Sequence, residues 1–94
     1  MIKVIAQAKL KEGSFEKVLA LYEELVTKTR KEEGCISYEL FSELNNENNI
    51  ALIEEWTSLE ALDKHTKTDH FITIVGKLKE YEQEEPVLLY KKII

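Results

Sequence analysis

Residues 35–56, CISYELFSELNNENNIALIEEW, contain the pattern that decides the fold. Two runs in which apolar and polar residues alternate, 35–43 and 50–57, flank an Asn-rich segment. Alternation with a period of two is typical of strands with one buried face, and Asn tolerates the left-handed backbone of turns. The stretch therefore predicts a β-hairpin whose connection runs from Asn45 to Asn49.

The upstream residues add one strand and one helix. Residues 2–10 alternate as a strand, and residues 15–32 carry apolar side chains at helical spacing. Ser14 is placed as the N-cap of this helix, and Gly34 follows it as a stop signal.

The downstream residues complete the domain. Ser58 precedes a short helix, and a break at 67–69 separates this helix from a second helical stripe that begins at Phe71. A last strand follows over residues 87–94. The order β-α-β-β-α-β is the ferredoxin-like arrangement, an α+β fold in which one antiparallel sheet carries helices on one face. We expect residues 1–94 to form a single domain of this type.

The two faces of the predicted sheet differ in polarity. The more apolar face, which should meet the helices, holds Ile2, Val4, Ala6, Ala8, Ile36, Tyr38, Leu40, Ile50 and Leu52. The opposite face still carries Ile5, Phe41 and Ile53 among polar and charged residues. Apolar side chains on an uncovered sheet face indicate a partner surface. We expect a homodimer in which two sheets pack face to face.

Composition excludes several classes of partner. The formal net charge is −5, whereas a surface that binds nucleic acid must be basic. No apolar run approaches the roughly 20 residues of a membrane-spanning helix, and the N-terminal residues lack a signal-peptide pattern. The single Cys35 cannot form an internal disulfide. We expect a cytoplasmic protein that binds neither nucleic acid nor membrane.

The segment that ends the hairpin and follows it contains the residues most able to catalyse a reaction or bind a ligand. Residues 54–71, EEWTSLEALDKHTKTDHF, hold the only Trp and both His of the chain. His65 and His70 would lie about 140° apart on a continuous helix, whereas two His that bind one ion from a helix are spaced i, i+4. The break at 67–69 could redirect the two rings, but neither a Cys nor a third His is available to complete a ligand set, so we expect no metal site.

Periodicity instead predicts a pocket. Glu54 and Trp56 share the helix-facing side of their strand, and His65 continues the apolar stripe of the following helix. A carboxyl group, an imidazole and an indole N–H should therefore converge at one end of the cleft between sheet and helices. His70 falls at the edge of the next helical stripe. The alternative is a packed corner in which Trp56 is core and Glu54 hydrogen-bonds a core His65.

Several short motifs occur along the chain at a specific spacing: GCISYELF at 34–41, EEW at 54–56, AL at 61–62, His65, and HF at 70–71. Together they resemble the antibiotic biosynthesis monooxygenase family, whose fold is a ferredoxin-like dimer with its sheets face to face, a dimeric α/β-barrel. The resemblance implies that O₂ oxidises a quinol, an anthrone or a similar polyphenol without any cofactor.

The resemblance also implies roles for the residues of the predicted pocket. His65 would remove a proton from the substrate, because an imidazole titrates near neutral pH. Glu54 would orient that ring or share its proton, and Trp56 would supply an apolar wall and one N–H donor. The aromatic substrate would be contacted by Tyr38, His70 and Phe71.

Two alternatives stay open. Some relatives bind and degrade haem by means of an Asn on the first strand, where this chain reads Ala6-Gln7-Ala8-Lys9. The other alternative is a non-catalytic dimer that binds a ligand or serves in a stress response, because the ferredoxin-like fold supports many functions.

Overall fold

The computed structural model describes residues 1–94 and confirms the ferredoxin-like fold. The elements in chain order are β1 (Ile2–Leu10), α1 (Phe15–Thr29), β2 (Cys35–Glu43), β3 (Asn46–Trp56), α2 (Leu59–His65), α3 (Asp69–Leu78), β4 (Glu82–Glu84) and β5 (Leu88–Lys91). All strand pairs are antiparallel, and β2, β3 and β1 are neighbours in that order. None of the three helices has the length and apolarity that a membrane span requires.

The remaining edge of β1 is covered by two short strands rather than one. Leu10 pairs with Glu82 of β4, and Ile5 pairs with Leu88 of β5. Pro86 lies between the two strands, where its missing N–H interrupts the hydrogen-bond ladder. The predicted strand over 87–94 begins within one residue of β5 but is too long, since the paired residues of β5 end at Lys91, and β4 was not predicted.

The β2–β3 hairpin is tighter than predicted. Glu43 pairs with Asn46, so the turn consists of residues 44–45 and the expected connection over 45–49 belongs mostly to β3. Asn49 Nδ2 donates a hydrogen bond to the Glu43 carboxylate at 2.7 Å. This polar pair bridges the two strands, which explains why Asn-rich residues occupy a strand here.

The core fills the space between the inner sheet face and the helices. It consists of twelve buried apolar residues: Val4, Ala8, Leu10, Val18, Tyr22, Leu25, Tyr38, Ile50, Leu52, Trp56, Ile74 and Leu78. Ile36 was assigned to this face, but its side chain is 52% exposed. The pairing with β3 shifts between Cys35 and Ser37, and such a bulge turns one side chain out of the alternation.

The outer face of the sheet carries the apolar residues that the sequence indicated. Leu88 of β5 pairs with Ile5 and joins Phe41 and Ile53 on this surface. Phe41 is 47% exposed and Leu88 is 41% exposed. A second copy of the chain as the cover for this surface stays a prediction.

Candidate functional site

A cavity of about 320 Å³ lies between the inner sheet face and the helices, beside the packed core. Its size is at the lower end of the roughly 300–1,000 Å³ typical of small-molecule sites. Most of its wall is apolar, and Tyr38, Glu54 and His65 line it together with Phe71. Glu82 also reaches the cavity, but it lies toward the end of β1 that pairs with β4. The residues with catalytic potential are therefore concentrated beside the opposite end of β1.

Glu54 is one of the buried carboxyl groups of the protein. The alternation of β3 places it on the inner face, where it pairs with Val4 on one side and Tyr38 on the other, and it is only 4% exposed. Burial raises the pKa of Glu54 to about 7; the hydrogen bond from Trp56 opposes this rise, and the nearby Glu32 carboxylate adds to it. Glu54 can therefore gain or lose a proton near neutral pH.

Trp56 has a different role from the one expected. Its side chain is completely buried and does not line the cavity. The indole Nε1–H donates to Glu54 Oε1 at 2.9 Å. The N–H that was expected to face the substrate therefore holds the Glu54 carboxyl group in place.

His65 occupies the last turn of α2 with 1% of its surface exposed. Its ring centroid lies 4.7 Å from that of Trp56, 4.9 Å from that of Phe71 and 5.2 Å from that of Tyr38. This aromatic packing fixes the plane of the imidazole. The expected hydrogen bond between Glu54 and His65 is not formed.

The two nitrogens of His65 have different surroundings. Nδ1 lies 2.8 Å from Glu32 Oε2, while Nε2 is buried and has no hydrogen-bond partner. Since a carboxylate oxygen only accepts, we assign the ring proton to Nδ1. Nε2 is then left with a free lone pair. The same carboxylate–imidazole arrangement orients the base of many hydrolases.

The surroundings of His65 favour its neutral form. Burial lowers the pKa of His65 below its ordinary value. The contact with Glu32 opposes this shift, and the proximity of His70 adds to it. A neutral imidazole with a free lone pair can accept a proton from a bound molecule.

Glu32 is the site residue that the sequence analysis missed. The helix predicted over 15–32 ends at Thr29, so Glu32 lies in the turn that leads into β2. Its N–H donates to the carbonyl of Thr29 at 3.0 Å, and its carbonyl accepts from the N–H of Cys35 at 3.2 Å. The available signal was Gly34, because a helix-stopping glycine places the residues just before it in a turn.

His70 also contacts Glu32. Its Nε2 lies 2.7 Å from the same oxygen, Glu32 Oε2, and its side chain is 17% exposed. His70 does not line the cavity, in contrast to its neighbour Phe71. In this structure its ring contacts Glu32, and a contact of His70 with the substrate stays a prediction.

The break between α2 and α3 brings the two imidazoles together. Thr68 Oγ1 donates to the carbonyl of His65 at 2.8 Å and accepts from the N–H of Phe71 at 3.3 Å, so one residue closes α2 and caps α3. The ligand atoms of Glu32, His65 and His70 all lie within 4.8 Å of one another. From the sequence, only a Cys or a third His was considered as the next ligand, and Glu32, which completes this cluster, was not.

Comparisons with known proteins agree with the motifs. Residues 1–77 match the model of the family described as antibiotic biosynthesis monooxygenase. YcnE of Bacillus subtilis, named as a candidate monooxygenase, is 36% identical over 80 residues, which cover 85% of this chain and 84% of that protein.

Solved structures give the same result. The crystal structure of an antibiotic biosynthesis monooxygenase superposes with a TM-score of 0.94 at 38% identity and covers 100% of both chains. A conserved protein from Methanosarcina mazei Go1 superposes with a TM-score of 0.93 at 34% identity, over 98% of this chain and 92% of that one. This chain therefore belongs to the antibiotic biosynthesis monooxygenase family.

Proposed function

We propose that this protein is a cofactor-independent monooxygenase that uses O₂ to oxidise a quinol, an anthrone or a similar polyphenol. The observation that carries the proposal is the buried Nε2 of His65, which has a free lone pair and no protein partner. His65 lies in the wall of an apolar cavity, and Glu32 holds its other nitrogen. Such a nitrogen can accept a proton from a phenolic hydroxyl group.

The first step is removal of a proton. The substrate ring packs against the apolar wall that includes Phe71, and its hydroxyl group gives its proton to Nε2 of His65. The imidazolium that forms is stabilised by the Glu32 carboxylate at Nδ1. A positioned base of this kind typically contributes about 10²–10⁴-fold to the rate.

The second step is oxidation by O₂. The phenolate anion is rich in electrons and reduces O₂, and a new C–O bond forms at a ring carbon to give a peroxide. The C–H bond at that carbon then breaks, and its electron pair forms the carbonyl and expels the outer oxygen, which leaves as water with the C–H proton and the proton of the His65 imidazolium. The resulting dione tautomerises to the hydroxyquinone, so one oxygen atom stays on the product and the four electrons that O₂ gains come from the substrate.

Glu54 supports the same chemistry from the neighbouring position. Its pKa of about 7 lets it exchange a proton with the substrate at neutral pH. Burial, followed by the charges of Glu54 and Glu32, raises the pKa of Tyr38, so this residue, which lines the cavity, stays a neutral phenol whose buried hydroxyl group has no hydrogen-bond partner in the protein. These two groups would bind the oxygens of the substrate while the apolar wall excludes water.

Oxygen uptake tests the proposal. Protein without an affinity tag is treated with a chelator and supplied with reduced naphthoquinones, anthrones and one-ring hydroquinones, with catalase and superoxide dismutase present to suppress autoxidation. We expect faster uptake for at least one class, with one atom of ¹⁸O₂ in each product molecule.

Haem serves as the comparison substrate in the same assay. Consumption of haem instead of a polyphenol would assign the chain to the haem-degrading branch. If no compound is consumed but an aromatic ligand raises the melting temperature, the protein is a binding module and the proposal is wrong.

A further inference from the structure

We infer that Glu32, His65 and His70 form a binding site for one divalent transition-metal ion of the Zn²⁺ or Co²⁺ type, and that the bound ion switches off the base. The first half of the inference is independent of the proposed function. The second half rests on that function, because it concerns His65 in its role as the proton acceptor.

The distances within the cluster fit a single ion. Glu32 Oε2 lies 2.8 Å from His65 Nδ1 and 2.7 Å from His70 Nε2, and the three ligand atoms lie within 4.8 Å of one another. An ion about 2.0–2.2 Å from each ligand atom separates neighbouring ligands by roughly 2.9 Å in an octahedron and roughly 3.3 Å in a tetrahedron. The two Glu32–imidazole distances would lengthen by a few tenths of an ångström, and the two imidazole nitrogens would approach each other by at most about 1.5 Å to form a tetrahedral shell.

The cluster is held in place before any ion binds. Its ligands come from the turn after α1, the end of α2 and the start of α3. The backbone of Glu32 is hydrogen-bonded on both sides, and the His65 ring is packed between aromatic rings. The side chains of Glu32 and His70 are 13% and 17% exposed, so an ion can enter from that side. A site that is largely preformed loses little entropy on binding.

The donor atoms define the chemical class of the ion. Two imidazole nitrogens and one carboxylate oxygen suit Zn²⁺, Co²⁺, Ni²⁺ or Fe²⁺. Mg²⁺ and Ca²⁺ prefer a shell made entirely of oxygens and are not expected to compete. Three protein ligands leave at least one coordination position for water.

Metal binding would change the chemistry of His65 at the opposite side of its ring. An ion on Nδ1 takes the lone pair of that nitrogen, so the single proton of the neutral imidazole moves to Nε2. Nε2 then donates a hydrogen bond into the cavity and no longer accepts a proton. The loaded protein should therefore lose the base that the proposed reaction requires.

Direct titration tests the site without any substrate. Untagged protein, stripped with a chelator, is titrated with Co²⁺ while the visible absorption of the ion is recorded, and Zn²⁺ binding is measured by equilibrium dialysis. We expect one ion per chain. Glu32→Gln and His70→Ala should each lower the affinity for the ion. Loss of a group that only contacts a ligand costs roughly 10–100-fold in affinity, and we expect each of these losses to be larger.

The matched control is Glu33→Gln, which removes the same charge from the adjacent, exposed position. This variant should bind Co²⁺ as the wild type does. The site is refuted if wild-type protein binds no more tightly than Glu32→Gln, or if His70→Ala keeps full affinity. Melting temperatures show that each variant is folded, and His70→Gln replaces His70→Ala if the latter is not.

The oxygen assay tests the second half separately. Zn²⁺ should lower oxygen consumption in proportion to site occupancy in both the wild type and Glu33→Gln. Unchanged or faster consumption by the loaded protein would refute the switch and leave the site intact. A stripped protein that consumes no substrate while it still binds Co²⁺ would refute only the proposed function.

Discussion

Replacement of Glu54 by Gln should remove a loss of stability that this carboxyl group causes in the wild type as pH rises from about 5 to 8. Gln keeps the shape of the side chain, and its amide oxygen can still accept the hydrogen bond that Trp56 Nε1 now donates at 2.9 Å. The substitution removes only the ability to ionise. The difference between wild type and variant therefore reports the ionisation of this one carboxyl group.

The sign and size of the effect follow from the pKa of Glu54. In the unfolded chain the group ionises at its ordinary value of 4.5, whereas in the folded protein burial raises its pKa to about 7. Between these values the folded state holds a proton that the unfolded state has released, so the free energy of unfolding falls as pH rises. A difference of this size corresponds to an upper limit of about 3 kcal/mol, and relaxation around the carboxylate makes about 1–3 kcal/mol our expectation.

The assay is urea unfolding at pH 5 and at pH 8 for both proteins. We expect the stability of Glu54→Gln relative to wild type to increase by about 1–2.5 kcal/mol between these two pH values, since part of the full effect falls below pH 5. Burial also raises the pKa of Glu82 and lowers that of His65, but both residues are present in both proteins and their effects cancel in the comparison.

Glu55→Gln is the matched control for this experiment. Glu55 is the next residue on β3, points to the outer face, and forms an ion pair with Lys3 at 3.5 Å. Its substitution should leave the pH dependence of stability close to that of the wild type, since exposed pairs contribute little. If Glu54→Gln and wild type differ by the same amount at pH 5 and pH 8, the carboxyl group is not held in a dry pocket and the reasoning fails.

Three further substitutions, the first with a matched control, test other parts of the structure. Gly34→Ala should lower the melting temperature by more than 10 °C, because Gly34 has a φ of +88° and the added Cβ would lie 2.5 Å from Ala61 Cβ. The control is Gly13→Ala, where φ is +76° but no atom lies within 4 Å of the added Cβ. It should cost only about 1 kcal/mol of stability. Phe41→Asp should convert a homodimer of 11.0 kDa chains into a monomer in sedimentation at micromolar concentration, and a monomeric wild type would contradict the dimer. Trp56→Phe removes the N–H that stabilises the Glu54 carboxylate, so the pKa of Glu54 should rise further. The loss of stability with rising pH should then extend to higher pH in urea unfolding. An unchanged dependence of stability on pH would show that this hydrogen bond is not formed in solution.

Local sequence patterns accounted for much of the fold. The bounds of β1 and β2 agree with prediction because alternation with a period of two depends only on the strand itself. The exposure of Ile36 could not be predicted from alternation. It depends on how β2 pairs with β3, where the N–H of Thr57 bonds the carbonyl of Gly34 at 2.9 Å.

Part of the candidate site could also be predicted from local sequence patterns. Glu54, Tyr38 and His65 line one cavity because each lies on the apolar face of its own element, which a sequence pattern reports. The partner of His65 could not be read in this way. Glu32 lies 33 residues away in the sequence, and their contact depends on where α1 ends, a boundary that has no periodic signal.

Steady-state oxygen consumption by His65→Gln tests whether His65 is the base of the proposed reaction. The assay uses chelator-treated protein and the best substrate of the polyphenol panel. Gln retains polar atoms that can contact Glu32, but it has no titratable nitrogen in the cavity. The account predicts that kcat falls by about 10²–10⁴-fold while the melting temperature stays within a few degrees of that of the wild type. Wild-type turnover in this variant, or a loss of stability that parallels the loss of activity, would contradict the claim that His65 Nε2 is the base.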